Sequence, residues 1–423
     1  PILMAVNNVE VEGGWQVVGD PEHCDVVIIN TCGFIEDAKR ESIDTILEYC
    51  RKKEEGRLRA VVVTGCLAER YQQELAQEIP ETDVVLGIGK NSHIVQAIRE
   101  ALEGQRVVEF GPKEDLGLEG ERILANPPYF AYIKVAEGCD NRCSYCAIPL
   151  IRGGFRSRSM EDIMTEVRRL AARGVREMNL VAQDTSRYGL DRYGKYMLPE
   201  LIHQVCQVEG VDWVRILYAY PERITDELID AIAKEPKVVK YIDIPVQHGS
   251  GKVLREMNRV GDRHTILALV KKLRERIPGV VIRTTMIAGF PGETQEDFEE
   301  LCKLVTEARF ERLGCFAYSQ EEDTPAGERE DQIDPKVRAD RADRIMELQM
   351  DIAFEFARSC KGKVLDVLVE GRQGGRYYGR SYMDAPDIDT RVYFTSKEKL
   401  SAGQLVPVEI TGSREYDLVG VTR

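Results

Sequence analysis

The sequence has no apolar run near the length that crosses a bilayer, and it shows no signal peptide, lipidation motif or polybasic tail. A cytoplasmic protein with no membrane partner is the expectation. Basic charge is also short, since 58 Lys and Arg face 72 Asp and Glu for a net charge of −14. Broad phosphate binding depends on clustered Lys and Arg, so nonspecific nucleic-acid binding is disfavoured and a basic partner is easier to accommodate. What remains, 43% hydrophobic and 31% charged residues over 423 positions, is the composition of a globular protein of about two to four domains.

Eleven cysteines would suggest disulfides in a secreted chain. Their placement after strands and in one tight group reads instead as thiolates kept reduced. The group is Cys139-Asp-Asn-Arg-Cys143-Ser-Tyr-Cys146, spaced C-x3-C-x2-C behind the apolar run 131–135. Three soft thiolates on one loop can hold three irons of a cubane cluster and leave the fourth open. An open iron can chelate the amino and carboxylate groups of S-adenosylmethionine (SAM), and one electron then yields a 5′-deoxyadenosyl radical. The alternative is a zinc knuckle, but zinc closes four ligands in paired C-x2-C units, and no fourth Cys or His lies nearby.

Before this loop the chain reads strand, helix, strand, helix after an uninformative start containing Gly13-Gly14. Continuous apolar runs at 25–30, 60–64 and 83–88 have the character of buried parallel strands, with helical periodicity at 34–53, 67–79 and 93–102. Such a pattern predicts an open doubly wound sheet over residues 1–120. Cys32 and Cys66 each fall just past the carboxyl end of a strand, where these sheets place ligands. A cysteine there is usually a small buried hydrophobe; two at matching edges, in a chain with a cluster loop, read as ligands. Cys24 and Cys50 read as structural.

Over 126–359, six strand candidates alternate with helices, as in a partial, open (β/α)6 barrel. Barrel sites form at the carboxyl ends of the strands, which makes Gln183, Asp184, Gln247, Arg283 and Thr285 candidates for SAM or substrate contacts. The turn Ala288-Gly-Phe-Pro-Gly-Glu-Thr294 adds Gly289, whose missing Cβ permits close backbone approach. His248 could donate a proton, although a lone rim histidine is more often a hydrogen-bonding structural residue. Cys206, Cys302 and Cys315 read as core, and the helix at 335–359 as a strut. Residues 360–423 hold five short strands with Gly-rich turns, an OB-like antiparallel β-barrel. Tyr377, Tyr378 and Tyr382 could stack bases, but Asp384, Asp387 and Asp389 form an acidic loop that repels phosphate. That loop reads as a peptide-binding surface or as a solvated turn.

Taken together, these residues resemble the radical-SAM methylthiotransferases end to end, a family with an N-terminal cluster domain, a radical-SAM barrel and a C-terminal TRAM domain. The stretches Val181-Ala-Gln-Asp-Thr-Ser-Arg-Tyr-Gly189, 379–389 and 35–42 look most like the branch that modifies a ribosomal protein, with the tRNA-modifying branch as the alternative. The resemblance implies methylthiolation of the β-carbon of an aspartate in small-subunit ribosomal protein twelve. It implies two 4Fe-4S clusters, SAM as methyl and radical source, and an electron donor such as flavodoxin or ferredoxin; nucleic-acid contact is not required. By the same resemblance Cys139, Cys143 and Cys146 match the SAM-cluster ligands, Tyr145 the aromatic residue beside SAM, and Cys32 and Cys66 two of three auxiliary ligands. The family's first auxiliary cysteine follows an opening strand. Neither is read at the start of this chain, so a missing upstream segment is the expectation.

Overall fold

The structure is a computed structural model that describes residues 2–9, 14–18, 23–118, 124 and 127–423, with backbone alone for 2–9 and 14–16. Gly13, and the expected boundary at 120–126 apart from Leu124, lie outside the described residues. The chain divides into two compact units.

The first unit draws on 1–120, 138–155 and 319–328. Its strands β1 (Ile2–Val9), β2 (Gly14–Val18), β3 (Val26–Thr31), β4 (Ala60–Gly65), β5 (Val84–Leu86) and β6 (Val107–Glu109) form one sheet in the order β2-β1-β3-β4-β5-β6. β3 to β6 run parallel. The expectation of a start without a strand is corrected: β1 pairs antiparallel with β3 from Ile2 opposite Asn30 to Val6 opposite Val26, which gives the β3 edge backbone partners. Successive strand side chains point to opposite faces, so both faces here need cover. On one, Val27, Ile29, Val61 and Val63 pack with Ile46 of α1 (Glu36–Glu54) and Leu67 and Leu75 of α2 (Cys66–Glu78). On the other, Val26, Ile28, Val62 and Val84 meet Ala97 and Ile98 of α3 (Ile94–Leu102). The cysteine loop and α4 (Ile148–Arg152) fold with this sheet.

The second unit opens with β7 (Phe130–Lys134) and a small hairpin of β8 (Ala136–Glu137) and β9 (Arg156–Ser157). β10 (Glu177–Val181), β11 (Trp213–Ile216), β12 (Val238–Asp243), β13 (Val281–Ala288) and β14 (Arg312–Ala317) follow, and six parallel strands line up as β14-β13-β12-β11-β10-β7. The connecting helices are α5 (Met160–Ala172), α6 (Leu190–Tyr193), α7 (Leu198–Cys206), α8 (Asp226–Lys234), α9 (Gly251–Glu256), α10 (Arg263–Arg276) and α11 (Gln295–Ala308). Ser159, Thr225, Asp262 and Thr294 each cap a helix by accepting from the third backbone N–H, typically about 1 kcal/mol apiece. The sheet does not close into a barrel.

The helix α12 (Pro335–Ser359) leads into β15 (Val364–Gln373), β16 (Arg376–Ser381), β17 (Val392–Thr395), β18 (Leu405–Arg414) and β19 (Asp417–Thr422), a closed barrel ordered β15-β16-β17-β19-β18. One pairing, β17 with β19, is parallel and the rest are antiparallel. Its core runs on into the parallel sheet: Val367, Tyr377, Phe394 and Val408 share a cluster with Leu217, Val239, Tyr241 and Val281.

The acidic loop is only partly solvated: Asp387 is exposed, while its other two acids are engaged within the protein. Asp384 is fully buried and pairs with Arg312 at 2.6 Å, and Asp389 accepts from the Tyr241 hydroxyl at 2.8 Å. Glu177, at the start of β10, is shared by Arg215 at 2.9 Å and Arg380 at 2.7 Å. Burial opposes the charge on Glu177, yet the two guanidiniums hold its carboxyl below the usual range. The tyrosines are also engaged: Tyr377 is buried and stacked on Phe394, Tyr378 lies 6.3 Å from Tyr393, and the Tyr382 hydroxyl donates to Gly279 O at 3.0 Å. Among the described residues no helix is long and apolar enough to cross a membrane.

Candidate active site

In the first unit the ends of β3 and β4 bring Cys32 and Cys66 to adjoining turns. At Gly65, φ is +97° and a Cβ would fall 2.4 Å from Asn30 Oδ1, so only glycine lets Cys66 begin α2 there. A Cβ on Gly33 would fall 2.8 Å from Leu67 N, which shows the two turns in direct backbone contact. Thr31 Oγ1 ties them, donating to Thr64 O at 2.6 Å and accepting from Leu67 N at 3.2 Å. Ser42 Oγ accepts from Cys32 N at 3.0 Å, and Arg70 donates to Gly33 O at 2.9 Å and to Glu321 at 2.8 Å. Cys24 and Cys50 are buried, as their structural reading requires.

The cluster loop closes through its glycines. Gly138 has φ +74° and approaches Gly154 O so closely that a Cβ would lie 2.0 Å from it. Cys139 N donates to Gly153 O at 3.1 Å, Phe155 N to Asp140 Oδ1 at 3.0 Å, and Cys146 N to Cys143 O at 3.0 Å. Cys139, Cys143, Cys146 and Tyr145 are all half-buried. Burial pushes the Cys146 thiol up to about 12, with the sulfurs of Cys143 and Cys139 adding to the rise. A bound cation would reverse that, because metal binding releases the thiol protons. Among the described residues no three His, Cys, Asp or Glu side chains close on a point as a single ion demands. Three soft donors on one glycine-hinged loop fit the irons of a cubane by their chemistry.

Sequence reasoning overlooked Arg152. It lies in α4, six residues past Cys146, and its Nη2 donates to Cys66 Sγ at 3.1 Å. The cluster loop thus reaches the second pair of cysteines through one side chain, although a run such as Ile151-Arg152-Gly153 shows only a charged helix end.

In the second unit the inner face of the parallel sheet carries polar atoms with no hydrogen-bond partner among the described residues. Gln183 Oε1 and Gln247 Oε1 are buried and unpaired, and so are both amide atoms of Asn179, a fully buried residue in the middle of β10. Buried amides without partners are costly, so these groups fit a ligand offering amino and hydroxyl donors, as SAM does. Asn179 was missed in the sequence, where its alternation with Met178 and Leu180 was the available signal. Thr285 is half-buried on β13. Gln247 adopts φ +70°, with its backbone bridging Thr285 O and Ile287 N at 2.9 and 2.8 Å.

Other candidates are engaged within the protein. Asp184 pairs with Arg223 at 2.6 Å. Arg283 lies 3.2 Å from Asp243 and 3.6 Å from Asp389. Gly289 has φ +77° and a Cβ there would meet Arg338 Cγ at 2.4 Å, so close packing against α12 explains the glycine. His248 is fully buried; its Nδ1 accepts from Ser250 N at 2.9 Å, which leaves Nε2–H to donate to Glu293 at 3.1 Å. An imidazole so committed is a structural group. Glu293 also accepts from Gly289 N at 2.8 Å and pairs with Arg341 at 2.7 Å, fastening the glycine turn.

Family models match along most of the chain: the radical SAM superfamily over residues 133–305, the TRAM domain over 362–422 and the uncharacterized protein family UPF0004 over 4–87. A solved structure of the radical S-adenosylmethionine methyltransferase TsrM from Kitasatospora setae superposes with a TM-score of 0.51 at 15% identity, covering 78% of this chain and 64% of that one, a likeness of fold alone. Much closer in sequence is a ribosomal protein uS12 methylthiotransferase RimO from Thermoanaerobacter sp. (strain X514), 49% identical over 97% of this chain and 94% of its own. The RimO of Caldanaerobacter subterraneus subsp. tengcongensis is 50% identical over the same shares. With that identity across nearly the whole length, and with the cysteine loop and open parallel sheet in place, the chain belongs to the RimO family of radical-SAM methylthiotransferases.

Proposed function

We propose that this protein transfers a methylthio group to the β-carbon of an aspartate in small-subunit ribosomal protein uS12. One observation supports this above the others: a single compact unit contains both sets of cysteines, joined by Arg152 on Cys66. Family membership brings a 4Fe-4S cluster and SAM; a second cluster on Cys32, Cys66 and a ligand outside the loops described above is part of the proposal. When bound, these groups supply a primary carbon radical, able to take a hydrogen that acid–base chemistry cannot reach, and a sulfur donor. The protein's own residues position them. Cys139, Cys143 and Cys146 would hold the SAM cluster, and the unpaired amides of Asn179, Gln183 and Gln247 would accept from SAM or substrate donors. Tyr145, Thr285 and Gly289 are proposed neighbours of SAM, whereas Arg283 is proposed as a positioning group, since two carboxylates already hold it.

A reductant such as flavodoxin or ferredoxin is the proposed electron source, and the cytoplasm, where ribosomes work, the proposed location. Nucleic-acid contact is not required in this reading. The test is mass spectrometry of ribosomal proteins and digested tRNA from a deletion strain, before and after complementation with this gene. Restoration of the uS12 mark is expected; restoration of a tRNA mark alone would transfer the protein to the other branch. Anaerobic protein given SAM and dithionite should form 5′-deoxyadenosine, and Cys143→Ala should not.

A further inference from the structure

The loop 384–389 of the small barrel meets the parallel sheet at Arg283. Arg283 stands between two buried carboxylates, Nη1 at 3.2 Å from Asp243 Oδ1 and Nε at 3.6 Å from Asp389 Oδ1. Asp389 is fixed from two further sides, by the Tyr241 hydroxyl at 2.8 Å and Ala385 N at 2.9 Å. Asp243 keeps its second oxygen, Oδ2, for the backbone N–H of Tyr218 at 3.3 Å. The Tyr218 carbonyl is held as well, accepting from Thr185 N at 3.0 Å and Thr185 Oγ1 at 3.2 Å.

Tyr218 needs such restraint. Its φ of +57° is left-handed, a conformation that strains any side chain with a Cβ and persists where neighbours over-determine it. The residue sits past the carboxyl end of β11, the end at which barrels build their sites, and is 40% exposed there. An exposed aromatic held in strain at a site mouth is suited to packing against a large partner.

We propose that Asp389 is a positioning residue. By engaging one side of Arg283 it keeps that guanidinium from claiming both oxygens of Asp243, so that Oδ2 stays with Tyr218 N–H and the ring is presented to the protein substrate. The part about the substrate rests on the proposed function. The geometric relay does not. The C-terminal barrel, on this account, shapes the mouth of the parallel sheet through its hold on Arg283.

Two measurements on the anaerobically purified full-length protein test the relay. Hydrogen exchange read by mass spectrometry should show the segment 217–220 exchanging faster in Asp389→Asn, which keeps the shape and removes the charge, and in Asp243→Asn, which weakens the acceptor directly. Unchanged exchange at 217–220 in folded Asp389→Asn overturns the proposal. In the assay with uS12, Asp389→Asn should raise KM on the order of tenfold with a smaller change in kcat, while SAM cleavage without uS12 keeps its rate. The Asp389→Asn and Tyr218→Ala effects should be non-additive, because both remove the same presented ring. Additive losses, or equal loss of substrate-free SAM cleavage, would make Asp389 a structural residue only. If the exchange changes as expected but wild-type protein leaves uS12 unmodified, the functional reading fails and the relay stands.

Discussion

Arg152 Nη2 donates to Cys66 Sγ at 3.1 Å, joining the helix behind the cluster loop to a cysteine eighty-six positions earlier. Groups that hydrogen-bond a metal ligand fix its orientation and favour its ionised form, and their loss typically weakens metal binding by about 10–100-fold. Arg152→Met should therefore lower iron retained at the proposed Cys32 and Cys66 site in a background where Cys139, Cys143 and Cys146 are alanine. Iron and sulfide analysis after anaerobic reconstitution and a chelator challenge checks this; retention equal to the Arg152 protein would show that the contact is incidental.

Glu177, shared by Arg215 and Arg380, links the two barrels of the second unit through a buried carboxylate. Truncating one partner of such a group leaves a buried charge uncompensated, so Arg380→Ala should cost on the order of 3–5 kcal/mol by denaturant unfolding. The pH dependence has a definite sign. The carboxyl is held below its ordinary 4.5 in the fold, so its contribution is complete above that value and is lost as pH falls below it. Glu177→Gln should make the acid side of a stability–pH curve shallower; an unaltered slope would mean that other carboxylates dominate.

His248 offers Nδ1 to Ser250 N and Nε2–H to Glu293. His248→Asn retains an amide oxygen and an N–H and should be milder than His248→Ala, which leaves buried groups unpaired at roughly 1–3 kcal/mol. Neither should move the pH profile of kcat, since the imidazole has no free position for proton transfer. A displaced profile would restore His248 as a proton donor.

At Gly289, a left-handed φ of +77° coincides with a Cβ position 2.8 Å from Arg338 Cα. Gly289→Ala should destabilise the second unit by about 1–3 kcal/mol, since strain and overpacking act together. Thermal melts with and without SAM would also show whether the turn is felt by the ligand: a smaller SAM-induced rise in Tm is expected.

The parts of this fold that sequence reasoning reached are those written in short windows. Apolar runs such as Val61-Val62-Val63, the strand–helix alternation over 126–359 and the C-x3-C-x2-C loop each need only neighbours to be legible. What escaped it depends on distant partners. Glu177 and Arg380 stand 203 positions apart, and nothing local distinguishes Asp384 or Asp389 from solvated turn residues until Arg312, Arg283 and Tyr241 are brought to them. Arg283 shows the same limit, because a strand position tells which end a residue occupies and not which carboxylates await it. The β1 strand shows a related limit: pairing energy from a neighbouring edge can settle a stretch whose own signal is weak.

Arg380, Asp384 and Asp389 also constrain how such proteins can be recombined. A graft that replaced the last sixty-odd residues with those of a tRNA-acting relative would bring a foreign loop against Arg215, Arg312 and Arg283, taking from them the Tyr382 carbonyl, Asp384 and Asp389 at once. Exchange of specificity between branches must carry the recipient's strand-start residues along with the transplanted module, or the chimera will fail at the seam before its choice of substrate can be examined.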